Sequence, residues 1–322
     1  MLRSLITSFL FIAWCLPSSA SSVSEHDLPS EKTQLLELLD EQTKLATKTR
    51  LNADYVPGIM TVLHGGDLEM KGIQTVWGAL KLVPGVTRTL SASGDPQLTI
   101  RGISDSLASG NVKILLNSVS VNSVQEGRAN PVFSIPIEQV ERIEFIRGPG
   151  SAVHGEYAYA GVLNVETYED ENRVFAGIDE NNTRSAGALM SLEKGDLHLG
   201  VSLSAQESDG ADVQTGRDAL YQFSGNLDSS SNAPGQSNEK HGSRTAIAKV
   251  DIKGLTLLGQ WTERQAGDHF GTNHILPPSD DRIVKTEQLE TLEVRYGAPM
   301  SAHVNAELYT GTVNTRIQKD EL

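Results

Sequence analysis

Beyond Tyr168 the chain alternates apolar and polar residues with a period of two, and this limits its fold more than any other feature. In Leu197–Ala205, residues Leu197, Leu199, Val201, Leu203 and Ala205 fall on one side, with His198, Gly200, Ser202 and Ser204 on the other. Ala302–Leu308 repeats the pattern, with His303, Asn305 and Glu307 on its polar side. Seven such strands are predicted, over 173–179, 184–193, 196–206, 243–252, 255–264, 285–296 and 301–312. Several reach the roughly 9–11 residues that a tilted strand needs to cross a bilayer. Tight turns near 194–195, 253–254 and 297–300 contrast with long polar links at 207–242 and 265–284. Outer-membrane barrels show that asymmetry of short and long connections. The same strands also suit a soluble β-sandwich, and the alternation alone does not choose between the two.

The amino-terminal end follows the secretory pattern, with Arg3 before an apolar run from Leu5 to Leu16 and small residues at Ser18 and Ala20. Residues 1–20 are therefore expected to be a signal peptide removed before Ser21. No later stretch approaches the ~20 apolar residues of a spanning helix, so any membrane crossing falls to strands. Cys15 is the sole cysteine and lies in this leader, which leaves the mature chain without a disulfide. Losing Arg3 takes Lys plus Arg from 27 to 26 against 41 Asp plus Glu, so the net charge moves from −14 to −15. A surface this acidic argues against nucleic acid as a partner.

Between these two regions the texture is that of a small α+β domain. Residues 21–50 form an amino-terminal segment in which 30–48 reads as a short amphipathic helix capped by Ser30. Ile59–Leu63 follows as a strand, Asp67 as a helix cap, and Ile73–Leu82 as a helix with Ile73, Val76, Trp77 and Leu80 on one face. Pro84-Gly85 ends that helix. Leu98–Arg101, Val112–Leu116, Arg142–Ile146 and Gly161–Thr167 supply further strands, and Thr87–Gln97 and Ser123–Asn130 read as polar loops.

Three motifs stand in order within this domain. Ala79–Val86 reads ALKLVPGV and Leu98–Gly102 reads LTIRG. In Ile135–Thr167 an alternating strand runs through Arg147-Gly148-Pro149-Gly150-Ser151 into a reversal containing Gly155 and Gly161. Together they resemble the plug domain of TonB-dependent outer-membrane receptors. The resemblance implies an α+β plug domain over 51–168 followed by an incomplete antiparallel transmembrane β-barrel over 169–322. Barrels of this family have about 22 strands, so seven cannot enclose the domain, and the chain is expected to be the first part of a longer receptor or a truncated product.

By the same resemblance, Arg101 and Arg147 make plug-to-barrel ion pairs, and Gly102, Gly148, Pro149, Gly150, Gly155 and Gly161 shape the plug's turns. Arg88, Ser91, Ser93, Asp95, Gln125 and Arg128, on the two polar loops, become candidates for ligand contact. Asn117-Ser118 stands where the family has Asp-Gly, and serine in glycine's place suggests a different turn type. The implied function is energised uptake of a scarce solute across the outer membrane of a Gram-negative cell. Its implied partners are outer-membrane lipid, a TonB-type energising protein of the inner membrane, and a siderophore or other metal-chelate ligand. Ferric siderophore is the family's commonest load, with cobalamin, other chelates and oligosaccharides open as classes. The alternative is a truncated, non-transporting binding module in the periplasm or at the outer membrane, and no TonB box is evident between Ser21 and Arg50.

No cofactor and no catalytic arrangement is expected. The eight histidines are scattered, His269 and His274 read as a solvent-facing pair, and neither a P-loop lysine nor a nucleophile elbow is present.

Overall fold

The computed structural model describes residues 59–104, 110–148, 154–179, 182–211, 213–220, 231–271, 274–277, 285–301 and 304–319, together with two short strands before them. The leader, Pro149 and Gly150 lie outside the described residues. The two short strands, β1 (Gln42–Thr43) and β2 (Leu51–Asn52), pair antiparallel, so extended backbone replaces helix inside the 30–48 span. The rest of that span is outside the described residues.

The α+β domain is built on a mixed five-stranded sheet in the order β3-β9-β10-β7-β8. Its strands are β3 (Ile59–His64), β7 (Val112–Leu116), β8 (Val119–Ser120), β9 (Val140–Arg147) and β10 (Gly161–Thr167). β10 runs parallel to β7 and antiparallel to β9. Between β3 and β7 come the helices α1 (Gly65–Met70) and α2 (Val76–Ala79), a 3-10 turn at Leu80–Leu82, and a three-stranded antiparallel sheet. That small sheet comprises β4 (Val86–Leu90), β5 (Pro96–Ile100) and β6 (Ile103–Ser104). A third helix, α3 (Asn130–Phe133), precedes β9.

Several expectations are corrected in this domain. Helix α1 begins at Gly65, so Asp67 lies in its first turn instead of capping it. The helix predicted over 73–82 starts only after Thr75, whose hydroxyl accepts from the Gly78 amide at 3.2 Å. Ile73, Val76 and Leu80 are nevertheless buried, as their shared face implied. Thr87–Gln97 is a paired hairpin instead of a loop, because β-branched Thr87 and Thr89 suit a strand and Leu98 and Ile100 anchor its partner in the core. Gly161, grouped also with the plug's turns, opens β10 with the predicted bounds, and a Cβ there would lie 2.7 Å from the Ile146 carbonyl oxygen.

The Asn117-Ser118 turn keeps the left-handed conformation at both central positions, with φ of 51° and 66°. Serine is held there by two bonds that glycine would halve. Its amide donates to Asn164 Oδ1 at 3.1 Å and its hydroxyl to Glu166 Oε1 at 2.8 Å.

All seven strands after Tyr168 form one antiparallel meander, β11 (Arg173–Ile178), β12 (Arg184–Lys194), β13 (Leu197–Ser208), β14 (His241–Ile252), β15 (Leu255–Ala266), β16 (Lys285–Ser301) and β17 (Val304–Lys319). The sheet is open, with β11 and β17 at its edges. The turn expected at 297–300 lies inside a longer hairpin. Pro299 pairs with Asn305, with a register irregularity between Pro299 and Ser301, so β16 continues through the span expected as a turn.

The orientation of this wall separates the barrel reading from the sandwich. Its polar face is the buried one. Thr262, Ser202, Thr245 and Gln260 are all under 5% exposed, whereas Leu292 is 56%, Val174 83% and Leu308 74% exposed. A soluble sandwich buries its apolar face; this sheet packs its hydroxyls and amides against the α+β domain and presents leucine, valine and tyrosine outward. No helix among the described residues is long and apolar enough to cross a membrane.

Candidate functional site

The seam between domain and wall is where the chain's polar chemistry concentrates. Gln139, fully buried after the Ile137–Gln139 turn, donates to Ser202 Oγ at 2.7 Å and accepts from Ser204 Oγ at 2.9 Å. Alternate residues of one strand face the same way, so β13 presents both hydroxyls to one amide. On a second clip, Asn117 Nδ2 donates to Gln260 Oε1 at 2.9 Å, and Gln260 Nε2 donates to Thr291 Oγ1 at 2.8 Å. The left-handed turn aims Asn117 at the wall. Burying such amides is tolerable only because each finds a partner. The apolar core also crosses the seam, since Ile247, Leu258 and Leu289 of the wall join the domain's cluster.

Ion pairs fasten the seam at two places. Arg173, on the first wall strand, makes a two-pronged bond to Glu69 of α1 at 3.0 and 2.9 Å and lies 5.5 Å from the Tyr168 ring centroid. The second is a four-membered cluster under the β4–β5 hairpin. Lys285 Nζ lies 2.5 Å from Asp95 Oδ1 and 2.8 Å from Glu287 Oε1. Arg264 reaches Glu287 at 3.1 Å and donates to the Gly94 carbonyl at 2.8 Å. Asn130 donates to the same Glu287 at 3.0 Å. Burial pushes the Asp95 carboxyl up, but Lys285 and Arg264 outweigh it and hold the group below its ordinary value.

Above this cluster the long link between β15 and β16 folds back onto the hairpin. Phe270 donates its amide to the Ala92 carbonyl at 2.9 Å. The His269 ring packs where a side chain at residue 94 would be, since a Cβ on Gly94 would stand 1.9 Å from its Cδ2. His269 is thus inserted at the seam, correcting the solvent-facing reading for that residue, whereas His274 is exposed as expected. Burial, aided by Arg264 and His241 and opposed by Asp95, lowers its imidazole to about 4. It is neutral at neutral pH.

Beside the hairpin lies a cavity of about 310 Å³. The α+β domain contributes Trp77, Leu90 and Phe133, with the Trp77 and Phe133 rings 5.5 Å apart. The wall and its long-link end contribute Gln206, Ser243, Arg264, Glu239 and Asp179.

The sequence-predicted residues divide around this site. Ser91, Ser93 and Asp95 close the hairpin. The two hydroxyls lie 3.1 Å apart, and the Asp95 amide donates to Ser91 Oγ at 3.0 Å. Arg88 points back into the domain, bonding the Trp77 carbonyl at 2.5 Å and covering its ring at 5.2 Å. Gln125 is exposed and Arg128 half-buried on a separate turn, away from the lining of this cavity. Gly102, Gly148 and Gly155 all have positive φ.

Arg101 is exposed at a left-handed corner, and Arg147 bonds Pro84 O at 2.6 Å and Thr61 Oγ1 at 3.2 Å inside its own domain. Among the described residues neither reaches a wall carboxylate. The pairs that are made have the opposite polarity, with carboxylates on the domain and cations on the wall. Arg173, Arg264, Lys285 and Glu287 were missed by sequence reasoning. Strand parity held the signal: Arg264 shares the inward register of Gln260 and Thr262, and Lys285 and Glu287 share that of Leu289 and Thr291.

Residues 52–162 match the family model described as TonB-dependent Receptor Plug Domain. A vitamin B12 transporter of Vibrio vulnificus is 29% identical over 164 residues, covering 48% of this chain and 26% of that protein. An iron-regulated outer membrane virulence protein of Vibrio cholerae is 33% identical over 125 residues, 36% of this chain and 18% of its own. Among solved structures, a ferric enterobactin receptor of Pseudomonas aeruginosa aligns with a TM-score of 0.58 at 18% identity, over 81% of this chain and 41% of that one. A siderophore receptor of Acinetobacter baumannii gives 0.57 at 19% identity, over 80% and 40%. At such identities the structural likeness is one of fold. The alignments span about a quarter or less of these curated relatives and about two-fifths of these solved chains.

Proposed function

We propose that this chain, whose residues 52–162 match the plug domain of TonB-dependent receptors and are followed by seven strands resembling their barrel, is a receptor of that family serving energised uptake across the outer membrane. The cargo is a ferric siderophore. The force comes from a TonB-type protein of the inner membrane acting on the plug's amino-terminal side. The observation that carries this reading is the inverted wall, with its polar face closed by the plug and its apolar face outward. An outward apolar surface of that extent marks a lipid-facing or partner-facing sheet.

The geometry supports a stopper that is held but not welded. Buried amide clips and the two ion clusters locate the plug on the wall, and each is directional, so each weakens steeply once its partners move apart. The cavity at the long-link end adjoins the hairpin those bonds hold. A solute bound there from outside would rest against the part of the plug that an inward pull must displace.

The test uses the whole gene product in its own cell. Under iron limitation, growth on defined ferric siderophores is expected to require both this protein and the TonB-type partner. Growth that is indifferent to deleting the partner removes the energised reading. A fractionated product found in the soluble periplasm, with no heat-modifiable outer-membrane band, removes the transporter altogether and leaves a binding module.

A further inference from the structure

We propose that residues Tyr168–Arg173 form a belt that pins the carboxyl-terminal half of the plug to the wall, so that an inward pull frees β3 and α1 while β10 stays in place. This deepens the uptake reading above and rests on it for the direction of the pull. The anchors of the belt follow one line across the wall. Ser191, Gly200 and Lys249 are directly paired neighbours on β12, β13 and β14, and strand parity turns all three toward the plug. The belt crosses them in turn. Glu169 Oε2 lies 2.6 Å from Lys249 Nζ, and the Glu169 backbone passes over Gly200. Asn172 then exchanges two bonds with Ser191, donating Nδ2 to its Oγ at 2.9 Å and accepting from its amide at 3.0 Å. Two inter-strand spacings come to about 10 Å, and three residues of extended chain cover about the same distance.

Gly200 is what lets the chain lie so close. A Cβ there would stand 2.7 Å from the Glu169 carbonyl oxygen and 3.3 Å from its Cα, and backbone cannot swing aside as a side-chain end can. The Glu169–Lys249 pair is the buckle, with side chains 31% and 22% exposed. Further pairs flank it, Asp170 with His198 and Glu171 with Arg173 at 3.4 Å. Asp170 is largely exposed, so its pair contributes little.

At its plug end the belt continues a strand already fixed on both sides. β10 is interior to its sheet, paired with β9 and with β7. The turn after β7 carries Asn117, which accepts from the Thr167 amide at 2.8 Å and donates to Gln260 of the wall. The Tyr168 amide donates to the Gln139 carbonyl at 3.0 Å, and Gln139 is itself clipped to Ser202 and Ser204. β3, in contrast, is an edge strand joined to the sheet through β9 alone. Force entering at β3 therefore meets the β3–β9 boundary well before it reaches the belt.

The measurement is single-molecule pulling of the full-length receptor in a supported bilayer, by its amino-terminal end and from the side of the short turns. Two separate ruptures are expected. The first releases the chain ahead of β4, about 90 Å counted from Ile59, and the last, longer lived at the same load, releases β10. Gly200→Ala and Lys249→Met are each expected to shorten the life of the last rupture at constant load about ten-fold and to leave the first unchanged. Glu69→Gln is expected to do the reverse. Lys249→Met leaves the backbone path over Gly200 open, so it decides the matter if Gly200→Ala does not assemble. A wild-type plug that leaves in one rupture, or a last rupture unmoved by Lys249→Met, overturns the belt. Growth on ferric siderophores that ignores deletion of the TonB-type partner strikes the transport reading instead and leaves the ruptures as they are.

Discussion

Replacing Asp95 by asparagine is the sharpest test of how the plug is held. The substitution keeps shape and an amide oxygen but removes one of two carboxylates facing two buried cations, with Lys285 5% and Arg264 8% exposed. Breaking a buried ion pair costs about 3–5 kcal/mol. The lower end applies here, because Glu287 still bonds Lys285 at 2.8 Å and Arg264 at 3.1 Å. A loss of about 3 kcal/mol corresponds to roughly a hundred-fold rise in the local opening constant. Amide exchange in the full-length protein reads it at two reporters, Ser91, bonded to Asp95 O at 2.9 Å, and Phe270, bonded to Ala92 O at 2.9 Å. Adding Lys285→Met restores the balance to Arg264 against Glu287, so the double variant should recover most of the loss. Exchange within about three-fold of wild type in Asp95→Asn, or strict additivity in the pair, refutes the latch.

Three further outcomes are expected. Gly94→Ala places a Cβ 1.9 Å from the His269 ring, so the link over 266–277 should become protease-sensitive on intact cells; Gly85→Ala, at the same φ of 76° with open space around it, should not do so. His269 has a lowered pKa of about 4, so its contact is fully present above the ordinary value near 6.5 and is lost as pH falls toward 4, worth about 3 kcal/mol in all. Phe270 exchange, corrected for intrinsic rate, should therefore accelerate between pH 7 and pH 4.5 and stay flat in His269→Gln. Burial raises the Glu144 carboxyl despite Arg142 beside it, so the stability this group contributes falls as pH rises through its titration. Glu144→Gln should slow exchange in β9 and β10 at neutral pH, and faster exchange there would contradict the assignment.

The strands were legible because a two-residue period survives every local accident. All seven are present, five of them within two residues of their predicted spans, while β16 runs five residues past its predicted end and β17 ends seven residues late; the two long links fall where polarity placed them. Local chemistry misled where the 297–300 span, expected as a turn, stays paired in β16, and where a polar run such as Thr87–Thr89 was β-branched enough to pair. The seam was less legible, since its partners lie far apart in the chain. Asp95 was singled out as a loop residue, but nothing local shows that a hairpin delivers it to Lys285, 190 residues away. Parity would have put Arg264 and Lys285 on the inner face, but only the plug's placement supplies the sign of what they meet.

That sign bears on how the stopper yields. Glu69 and Asp95 are the plug's contributions to the two ion clusters, and they sit at different depths along the load path. Under an inward pull on the amino-terminal side, tension enters at β3 and passes directly into α1, where Glu69 meets Arg173. It reaches the hairpin only through α2 and the start of β4, or sideways through the six pairs joining β3 to β9. The Arg173 bond is half-exposed and water can replace it as it opens, whereas Asp95 lies with two buried cations whose other carboxylate among the described residues is Glu287. On the proposed reading, the first latch would therefore be the weaker and the earlier loaded, and the hairpin beside the cavity would stay seated until the sheet edge had moved.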